Sequence, residues 1–366
     1  MSVVTGVAAG CAPSRGTVGG PIEPILELPP LLSWIGDFSR PGGAAYPLLT
    51  SGGRFGGLSG LVHDARSDQW IAVIDDREGT RVAWLDVALT NDSVSVVPTR
   101  LMPLRAGRGI PARIASESDL EAIVALSDGT LLMSEEGHTR DGEVWQPAIL
   151  HVTRAGVVTA TTAFPPMYSI TTDPARGVRD NQGFESLTLT PGGRLIAGLE
   201  QPLLEDGEKT TFDRPGLGRL IEFRKAGSRW RPGREWRYMI SPTPRVEGFP
   251  NVCGDGENGL VELLALTETR LLALERACLM DDARTQTTNP IHLYLVELIG
   301  DGTRKTLLLD LSTLAPRLPP SLSRLDNFEG MAFGPPLADG SRTLLVVSDD
   351  NFRATQLTSF LLFGIR

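Results

Sequence analysis

The chain alternates between short apolar runs and short polar turns, and five of its segments repeat one longer pattern. In this pattern a first apolar run begins beside an acid, a tight turn follows, and a second apolar run ends in an acid. The five segments begin at Leu58, Leu120, Phe184, Val261 and Phe328. Repetition of this kind is the signature of an architecture in which similar units pack against one another.

Each segment predicts a β-hairpin, because turns such as Ser-Asp-Gly and Thr-Pro-Gly-Gly contain the residues that tight β-turns require. Two more strand-like runs follow most hairpins; RVAWLDVAL and SVSVVPTRL follow the first. After the fifth hairpin only TSFLLFGIR remains. We therefore expect the fifth unit to take its fourth strand from the N-terminal part of the chain, around PIEPILELPP or AYPLLT.

These units predict an all-β fold, a β-propeller of four-stranded blades closed by an N-terminal strand. We count five blades, and a sixth built from the stretches 98–120 and 241–259 remains an alternative. In a propeller each blade covers the face of its neighbour, so no long sheet edge stays open. A β-sandwich would give no reason for acids at blade-length intervals. The predicted division is a signal and linker over residues 1–20 and one propeller domain over residues 21–366.

The composition agrees with a turn-rich globular protein and excludes several kinds of partner. The 366 residues include 40 Gly and 27 Pro, which favours many short strands joined by turns. The net charge of −9 repels nucleic acid and anionic membrane surfaces. Beyond the N-terminal stretch, the apolar runs are shorter than the roughly 18 residues that a membrane-spanning helix needs.

The first residues are similar to the end of a bacterial lipoprotein signal, because small residues precede Cys11 in MSVVTGVAAGC. The basic beginning and longer apolar stretch of such signals are missing. An ordinary N-terminus with an incidental cysteine is the alternative. We expect an exported protein, either a periplasmic or cell-envelope lipoprotein tethered through Cys11 or a secreted protein. Cys253 and Cys278 then form an even pair, which the sequence leaves open as a disulfide or as two thiols.

The repeat places acids at both ends of each hairpin. Its opening position holds Ser59, Glu121, Glu185, Glu262 and Glu329. Its closing position holds Asp75, Glu135, Glu200, Glu275 and Asp349. Because the two strands of a hairpin are antiparallel, we expect both positions at the same end of the propeller, around its central channel. Nine carboxylates confined there repel one another, so the ring requires cations to neutralise it.

Two sources of positive charge fit this ring. One is Ca²⁺, which takes roughly six to eight oxygen ligands in forgiving geometry. The other is arginine, since Arg77, Arg276 and Arg353 lie beside or just beyond closing acids. The sequence predicts the nine acids as metal ligands, with Ca²⁺ as the hypothetical cofactor, and these three arginines as substrate-binding residues. The alternative is that each acid is satisfied within its own blade by backbone N–H groups or a neighbouring arginine.

Long connections leave or precede the same positions, for example 136–147, 165–183 and 201–218. Binding and catalytic residues concentrate on long loops that a rigid scaffold positions. We therefore expect the ligand to bind at this end of the propeller.

Several stretches of the repeat match a known family. They are GGLSGLVHD with IAVIDDR, DLEAIVALSDGTLLMSEEG, NQGFESLTLTPGGRLIAGLEQ, LLALERA, and NFEGMAFGP followed by VVSDDNF. Together they resemble the phytase-like family described as having esterase-like activity, over about residues 50–363. The resemblance implies a propeller, an exported bacterial protein, and hydrolysis of phosphate or other esters by analogy with calcium-dependent propeller phytases. A fold does not fix a function, so only the repeat acids are carried over from the family.

The residues favour metal-assisted hydrolysis over a serine mechanism. A serine esterase uses a G-x-S-x-G turn, and the nearest sequence, GLSGL around Ser59, lacks the final glycine. Nothing selects a Ser–His–Asp site among the four histidines, which are His63, His138, His151 and His292. A metal ion instead lowers the pKa of a bound water and neutralises charge on phosphoryl oxygens.

We therefore predict a Ca²⁺-dependent hydrolase, a monomer, that cleaves a small phosphate ester or a related ester, with its catalytic residues unassigned. One alternative is a non-catalytic propeller that binds a ligand or protein through its long loops while the acids serve the structure. Another is a lactonase-like metal hydrolase that prefers neutral esters.

Overall fold

The computed structural model describes Met1 and residues 32–42, 54–76, 79–322 and 324–366, and the structural statements below concern these residues. Strands dominate them, which confirms the predicted all-β class. The short helix α1 covers Ala112–Ser116. Single 3₁₀ turns cover Pro166–Tyr168, Leu204–Asp206, Leu311–Leu314 and Pro320–Leu322. In this part of the chain no helix is long and apolar enough to cross a membrane.

The strands form antiparallel units of four, numbered here along the chain. An edge strand, β1, covers Leu32–Pro41. The first unit consists of β2 (Leu58–Asp64), β3 (Gln69–Ile74), β4 (Arg81–Leu89) and β5 (Val94–Pro103). A two-residue strand, β6 (Arg105–Ala106), runs parallel to the outer edge of the second unit. The second unit consists of β7 (Leu120–Ala125), β8 (Leu131–Glu135), β11 (Ala148–Val152) and β12 (Val157–Ala163).

The later units repeat this arrangement. The third consists of β13 (Ser186–Leu189), β14 (Leu195–Gly198), β15 (Gly216–Ala226) and β16 (Arg229–Ile240). The fourth consists of β18 (Gly259–Ala265), β19 (Arg270–Arg276), β22 (Ile291–Ile299) and β23 (Gly302–Asp310). The fifth consists of β24 (Asn327–Gly334), β25 (Arg342–Asp349), β26 (Leu357–Ile365) and β1.

Short strands on the connections form two small extra sheets. One is the hairpin of β9 (His138–Arg140) and β10 (Glu143–Trp145). The other joins β17 (Asn251–Val252), β20 (Leu279–Met280) and β21 (Thr287–Thr288). The stretches that were the alternative source of a sixth blade, 98–120 and 241–259, therefore contain the end of β5, β6, α1 and β17.

The innermost strands of the five units contact one another in a closed ring. β2 packs against β7 and β24, β13 packs against β7 and β18, and β18 packs against β24. This approach is close, since a Cβ atom at Gly60 would lie 2.5 Å from the Glu121 carbonyl oxygen. The sheets therefore radiate from one axis, in the arrangement predicted for a propeller. The number of blades stays a prediction, because the third and fourth units share one sheet through a single parallel pair, Arg237 and Gly302.

The closing strand comes from the N-terminal part of the chain, as predicted, but from a different stretch. β1 pairs antiparallel with β26, from Leu32 opposite Ile365 to Pro41 opposite Leu357. Both stretches that were expected to supply this strand, 21–30 and 45–50, lie outside the described residues. Aromatic and β-branched residues in LSWIGDFSRP suit pairing, whereas the four prolines of PIEPILELPP cannot donate ladder hydrogen bonds.

Apolar side chains fill the spaces between neighbouring sheets. Between the second and third units, the Phe164 ring stacks on the Phe184 ring with their centroids 3.6 Å apart. Between the fourth and fifth units, Leu272 and Leu293 share a buried cluster with Phe363. Burial of apolar surface contributes about 25 cal/mol per Å², so this packing holds the inner strands in place around the axis.

A buried ion pair within the fourth unit accepts a hydrogen bond from the third unit. Glu275 on β19 is fully buried, pairs with Lys305 on β23, and accepts a hydrogen bond of 2.8 Å from the Tyr238 hydroxyl on β16. The Lys305 Nζ lies 4.8 Å from the centre of the Tyr238 ring and 4.3 Å from that of Tyr294. The carboxylate therefore depends on this ammonium group for its charge compensation.

We expect Lys305→Met to destabilise the protein by about 3–5 kcal/mol, because it leaves Glu275 as a buried, unpaired charge. Urea unfolding measures this change. The control is Arg304→Met, which removes an exposed pair with Glu297 and should cost about 1 kcal/mol or less. Equal losses in the two variants would contradict the assignment of Lys305 to this pair.

Candidate functional site

Irregular pairing marks the start of four inner strands. The register shifts between Leu58 and Leu61, Leu120 and Ile123, Leu260 and Glu262, and Phe328 and Gly330. A β-bulge inserts one extra residue and re-aims its side chain. In β7 and β24 the extra stretch contains Glu121 and Glu329, so the bulge sets where these acids point.

The strand pairings define the repeat more sharply than the sequence pattern does. Leu58 pairs with Ile74, Leu120 with Glu135, Leu260 with Glu275 and Phe328 with Ser348. The equivalent opening residues are therefore Ser59, Glu121, Glu185, Val261 and Glu329. The equivalent closing residues are Asp75, Glu136, Glu200, Arg276 and Asp349.

Three of the nine predicted ligands are displaced by one residue from this register, and the structure does not bring them to the cavity described below. Side chains alternate along a strand, so a slip of one residue turns a side chain to the other face. Glu135 instead accepts hydrogen bonds from the backbone N–H groups of Asp119 at 2.8 Å and Gly137 at 3.2 Å. Glu275 belongs to the ion pair with Lys305.

Glu262, the third displaced acid, lies at the position where other inner strands carry a small residue such as Gly60. It is buried and accepts a hydrogen bond of 2.8 Å from the backbone N–H of Leu263. Burial raises its pKa well above the usual value, against the opposing effect of hydrogen bonds from Leu263, Met331 and Leu187. It therefore fills space between inner strands, and protein N–H groups supply its hydrogen bonds.

A cavity of about 780 Å³ opens at the end of the axis where the repeat acids meet. Asp255 and Asp326 on the loops line it, and so do seven carboxyl side chains at positions of the repeat: Asp75, Glu121, Glu136, Glu185, Glu200, Glu329 and Asp349. Six of them are predicted ligands, and Glu136 was missed. Its signal was spacing, since positions 121 and 136, 185 and 200, and 261 and 276 are each 15 residues apart.

Two groups of oxygen atoms in this region are close enough to share a cation. Carboxylate oxygens of Asp75, Asp119 and Glu121 lie within 4.8 Å of one another, and so do those of Glu121, Glu136 and Glu185. Glu121 belongs to both groups. Ligand sets made only of oxygen suit hard cations such as Ca²⁺, so the residues present fit the predicted ion. Asp119 was missed because the other repeats carry no acid at its position.

Burial and mutual repulsion dominate the electrostatics of the cavity floor. Burial, followed by the charges of Glu185 and Asp75, raises the pKa of Glu121 well above its usual value. Burial, followed by Glu200 and Glu136, does the same to the pKa of Glu185. Such shifts mean that the ionised forms are unfavourable here unless a positive charge joins them.

Burial and neighbouring charges also raise the pKa values of the two acids of the fifth unit and of Glu200 in the third unit. Burial, followed by the charges of Glu329 and Asp75, raises the pKa of Asp349 well above its usual value. Burial also raises the pKa of Glu329, although Arg276 opposes the shift. Glu200 has its pKa raised to about 7 by burial, again against the effect of Arg276.

Arg276 places one positive charge within this acidic floor. Its Nη2 lies 2.5 Å from Glu329 Oε1, and its side chain is 11% exposed. Burial would lower its pKa, but Glu329, Glu200 and Glu185 raise the pKa above its usual value. Arg353, also predicted to bind substrate, is exposed and lines the same cavity.

The third predicted arginine, Arg77, lies outside the described residues. Arg324 was not predicted, but it also lines the cavity and donates a hydrogen bond to Gln286. The rim on this side thus carries positive charge above an acidic floor.

The rim of the cavity is built from the long connections, as expected. Asn181 and Asn351 line it and have positive φ angles of 57° and 46°, a conformation that non-glycine residues adopt at a cost and that clusters at functional sites. Cys253 and Cys278 also line it and form a disulfide with their Cα atoms 5.3 Å apart. This resolves the alternative that the sequence left open and joins two rim loops covalently.

The amino-acid sequence matches one family model, described as phytase-like, "Esterase-like activity of phytase", over residues 53–352. This chain belongs to the phytase-like family. The match covers the segments that supply the repeat acids of the cavity. No curated protein shows significant similarity to the chain.

Several solved structures share a distant likeness with this phytase-like protein. An endo-arabinase from Bacteroides thetaiotaomicron has 12% identity and a TM-score of 0.44, with 85% of this chain and 94% of that chain covered. A β-xylosidase has 10% identity and a TM-score of 0.43, with 85% and 92% covered. The catalytic domain of an α-L-arabinofuranosidase from Coprinopsis cinerea has 12% identity and a TM-score of 0.40, with 89% and 97% covered. These likenesses are too distant to bear on activity.

The four histidines of this phytase-like chain contact residues that do not form a Ser–His–Asp site with them. His63 pairs with Asp68 at 2.9 Å, and His151 lies 2.8 Å from the Thr162 hydroxyl. His138 stacks on Trp145 with ring centres 4.8 Å apart. His292 on β22 has its Nδ1 atom 3.3 Å from the Tyr294 hydroxyl. These contacts give no support to a serine triad.

We expect the metal-free phytase-like protein to lose stability as the pH rises from about 5 to about 8. Glu121, Glu185 and Glu200 have raised pKa values in the folded state, above about 4.3 in the unfolded chain. The folded state therefore holds protons that the unfolded state has released, and this contribution is lost as the pH rises through the folded pKa. Asp128, with its pKa lowered to about 2, titrates below this range.

Thermal melting in EDTA across this pH range measures the effect. Glu185→Gln should flatten the slope because it removes one of the mutually repelling charges. Glu208→Gln, at an exposed position, should leave the slope as it is. A melting temperature that rises from pH 5 to pH 8 would show that the cavity acids do not behave in this way.

Proposed function

We propose that this protein is a metal-assisted hydrolase that cleaves a phosphate ester at the acidic cavity. The observation that carries the proposal is the convergence of the seven repeat carboxyl groups and Arg276 on one cavity. Its volume, about 780 Å³, falls in the range of small-molecule sites. Membership of the phytase-like family supports ester hydrolysis as the reaction class.

The carboxylates would hold the cation, and Ca²⁺ is the ion that their oxygen atoms suit best. Asp75, Asp119, Glu121, Glu136 and Glu185 form the two groups of oxygens described above. When bound, the ion lowers the pKa of a water molecule and neutralises charge on phosphoryl oxygens. The buried carboxylates would hold the ion in a region of low dielectric, where charges interact more strongly than in water.

The arginines would bind and orient the phosphate group. Arg276 lies in the floor, and Arg353 and Arg324 lie on the rim of the same cavity. A planar guanidinium group can contact two oxygens of one phosphate, which fixes orientation as well as charge. A substrate bound between acids and arginines would then present its phosphorus to the floor of the cavity.

We also propose that the protein is exported. The disulfide between Cys253 and Cys278 supports an oxidising compartment. Lipidation of Cys11, which lies outside the described residues, would add a membrane tether.

A second candidate is a non-catalytic propeller whose acids serve the structure. Glu135 and Glu275 favour it, because protein groups satisfy both of them. They lie outside the cavity, however, and among the described residues that line the cavity Arg276 is the one largely buried arginine beside the seven repeat acids. For this reason hydrolysis is the leading proposal.

Protein purified without chelator should contain at least one calcium ion per chain by elemental analysis, and EDTA should lower its melting temperature. With added Ca²⁺ it should hydrolyse p-nitrophenyl phosphate faster than p-nitrophenyl acetate, since the arginines favour an anionic group. Glu121→Gln should reduce both calcium content and turnover, the latter by about tenfold or more, because Glu121 belongs to both oxygen groups. Glu208→Gln is the control and should match the unmodified protein.

Absence of bound metal, with a melting curve that millimolar Ca²⁺ leaves unchanged, would reject this proposal in favour of the binding module. Faster cleavage of the neutral ester would instead indicate a lactonase-like or esterase-like substrate.

A further inference from the structure

The fourth unit departs from the repeat at both of its positions in the acidic ring. Where other units carry an acid, it has Val261 at the opening position and Arg276 at the closing position. In the first unit only the opening position lacks an acid, since Ser59 faces Asp75. The fourth unit is therefore the one described sector of the ring that contributes no carboxylate and contributes a positive charge.

The guanidinium group is placed as a counter-ion to its neighbours. Arg276 Nη2 lies 2.5 Å from Glu329 Oε1, which also accepts a hydrogen bond of 2.8 Å from the Asn327 side chain. Glu200 and Glu185 are the next acids whose charges act on Arg276. Arg276 thus interacts with acids from the third and fifth units, on both sides of its own.

Hydrogen-bonding capacity remains on this side chain. Arg276 Nε is buried and has no hydrogen-bond partner among the described residues. Guanidinium groups carry five N–H donors in a fixed plane, and a buried donor without a partner is unfavourable. Neighbouring acids therefore balance the charge of the guanidinium group, whereas its Nε–H donor has no partner among the described residues.

We propose that Arg276 takes the place of a metal ion in the fourth sector of the ring and reserves that sector for the anionic group of the substrate. The inference rests on the proposed function, because it assumes that the other sectors hold a cation. Carboxylates of the first, second and third units, with Asp119, form the cation side of the cavity. Arg276 forms the opposite, anion-binding side. One substitution in a repeated ring of acids then fixes which way an ester lies across the cavity.

The number of cations per chain tests this assignment without reference to turnover. Chelator-stripped protein is titrated with CaCl₂ by calorimetry, and bound calcium is counted by elemental analysis. Arg276→Glu restores the acid of the repeat beside Glu200 and Glu329, and should bind one more Ca²⁺ per chain than the unmodified protein. Arg245→Glu makes the same change in net charge at an exposed position that pairs with Asp213, and should leave the number unchanged.

Arg276→Gln provides a second test that adds no acid to the buried cluster. Loss of the positive charge should tighten Ca²⁺ binding by about tenfold without changing the number of ions, because the remaining carboxylates no longer share their charge with Arg276. Binding of inorganic phosphate to the calcium-loaded protein should weaken by about tenfold or more, since its guanidinium partner is gone. Arg245→Gln should change neither affinity.

Calcium binding with the same number and affinity in both Arg276 variants and the unmodified protein would overturn this inference while leaving the proposed function intact. Unchanged phosphate affinity in Arg276→Gln would overturn the anion-binding part. Absence of calcium binding by the unmodified protein would reject the proposed function itself, so the two failures are distinguishable.

Discussion

Repulsion between carboxyl groups at the axis has to be balanced by the rest of this fold. Antiparallel hairpins bring an opening and a closing residue to the same end, and the ring of inner strands brings the hairpins to one axis. Seven carboxyl groups of the repeat consequently share one cavity. In a medium of low dielectric the ionised forms of these groups are unfavourable. The pKa values of Glu121, Glu185 and Asp349 are raised for this reason. A scaffold that could relax would separate these groups.

The scaffold resists relaxation because hydrogen bonds connect its first and last strands and link neighbouring units to one another. β1 completes the last sheet, so the first and last described strands are held in one hydrogen-bonded unit. Asp350 accepts a hydrogen bond of 2.9 Å from the backbone N–H of Gly57 and another from the Thr358 hydroxyl, which joins the fifth unit to the start of the first. The Tyr238 hydroxyl of the third unit donates a hydrogen bond to Glu275 of the fourth unit, which links these two units. Rigid positioning of this kind is what a preorganised site requires.

Hairpins and the all-β class could be predicted because alternation of apolar and polar residues is a local property. A closing strand from the N-terminal part could be predicted because the fifth unit was one strand short, but the stretch that supplies it, Leu32–Pro41, was not. The register could not be predicted from alternation alone. Glu135 and Glu136 are neighbours; the 15-residue spacing hinted at Glu136, and the pairing of Leu120 with Glu135 establishes that Glu136 is the one equivalent to Asp75. A β-bulge adds one residue to a strand, and no pattern in the sequence shows where it occurs. It therefore shifts the pairing register in a way that alternation does not predict. Asp119 could not be found from the repeat, because its position lies outside the repeated pattern.

Departures from the repeat carry more functional information than the repeat itself. A ring with an acid in every sector would surround its axis with similar charge and would give an ester no preferred direction. Val261 and Arg276 break that similarity in one sector, and the resulting contrast between a carboxylate side and a guanidinium side gives the cavity a direction. The fold accepts the change because Arg276 interacts with the acids of both neighbouring units, so the substitution lowers the repulsion that the scaffold must resist. Under the proposed function, Arg276 therefore lowers the repulsion within the cavity floor and would also orient the ligand.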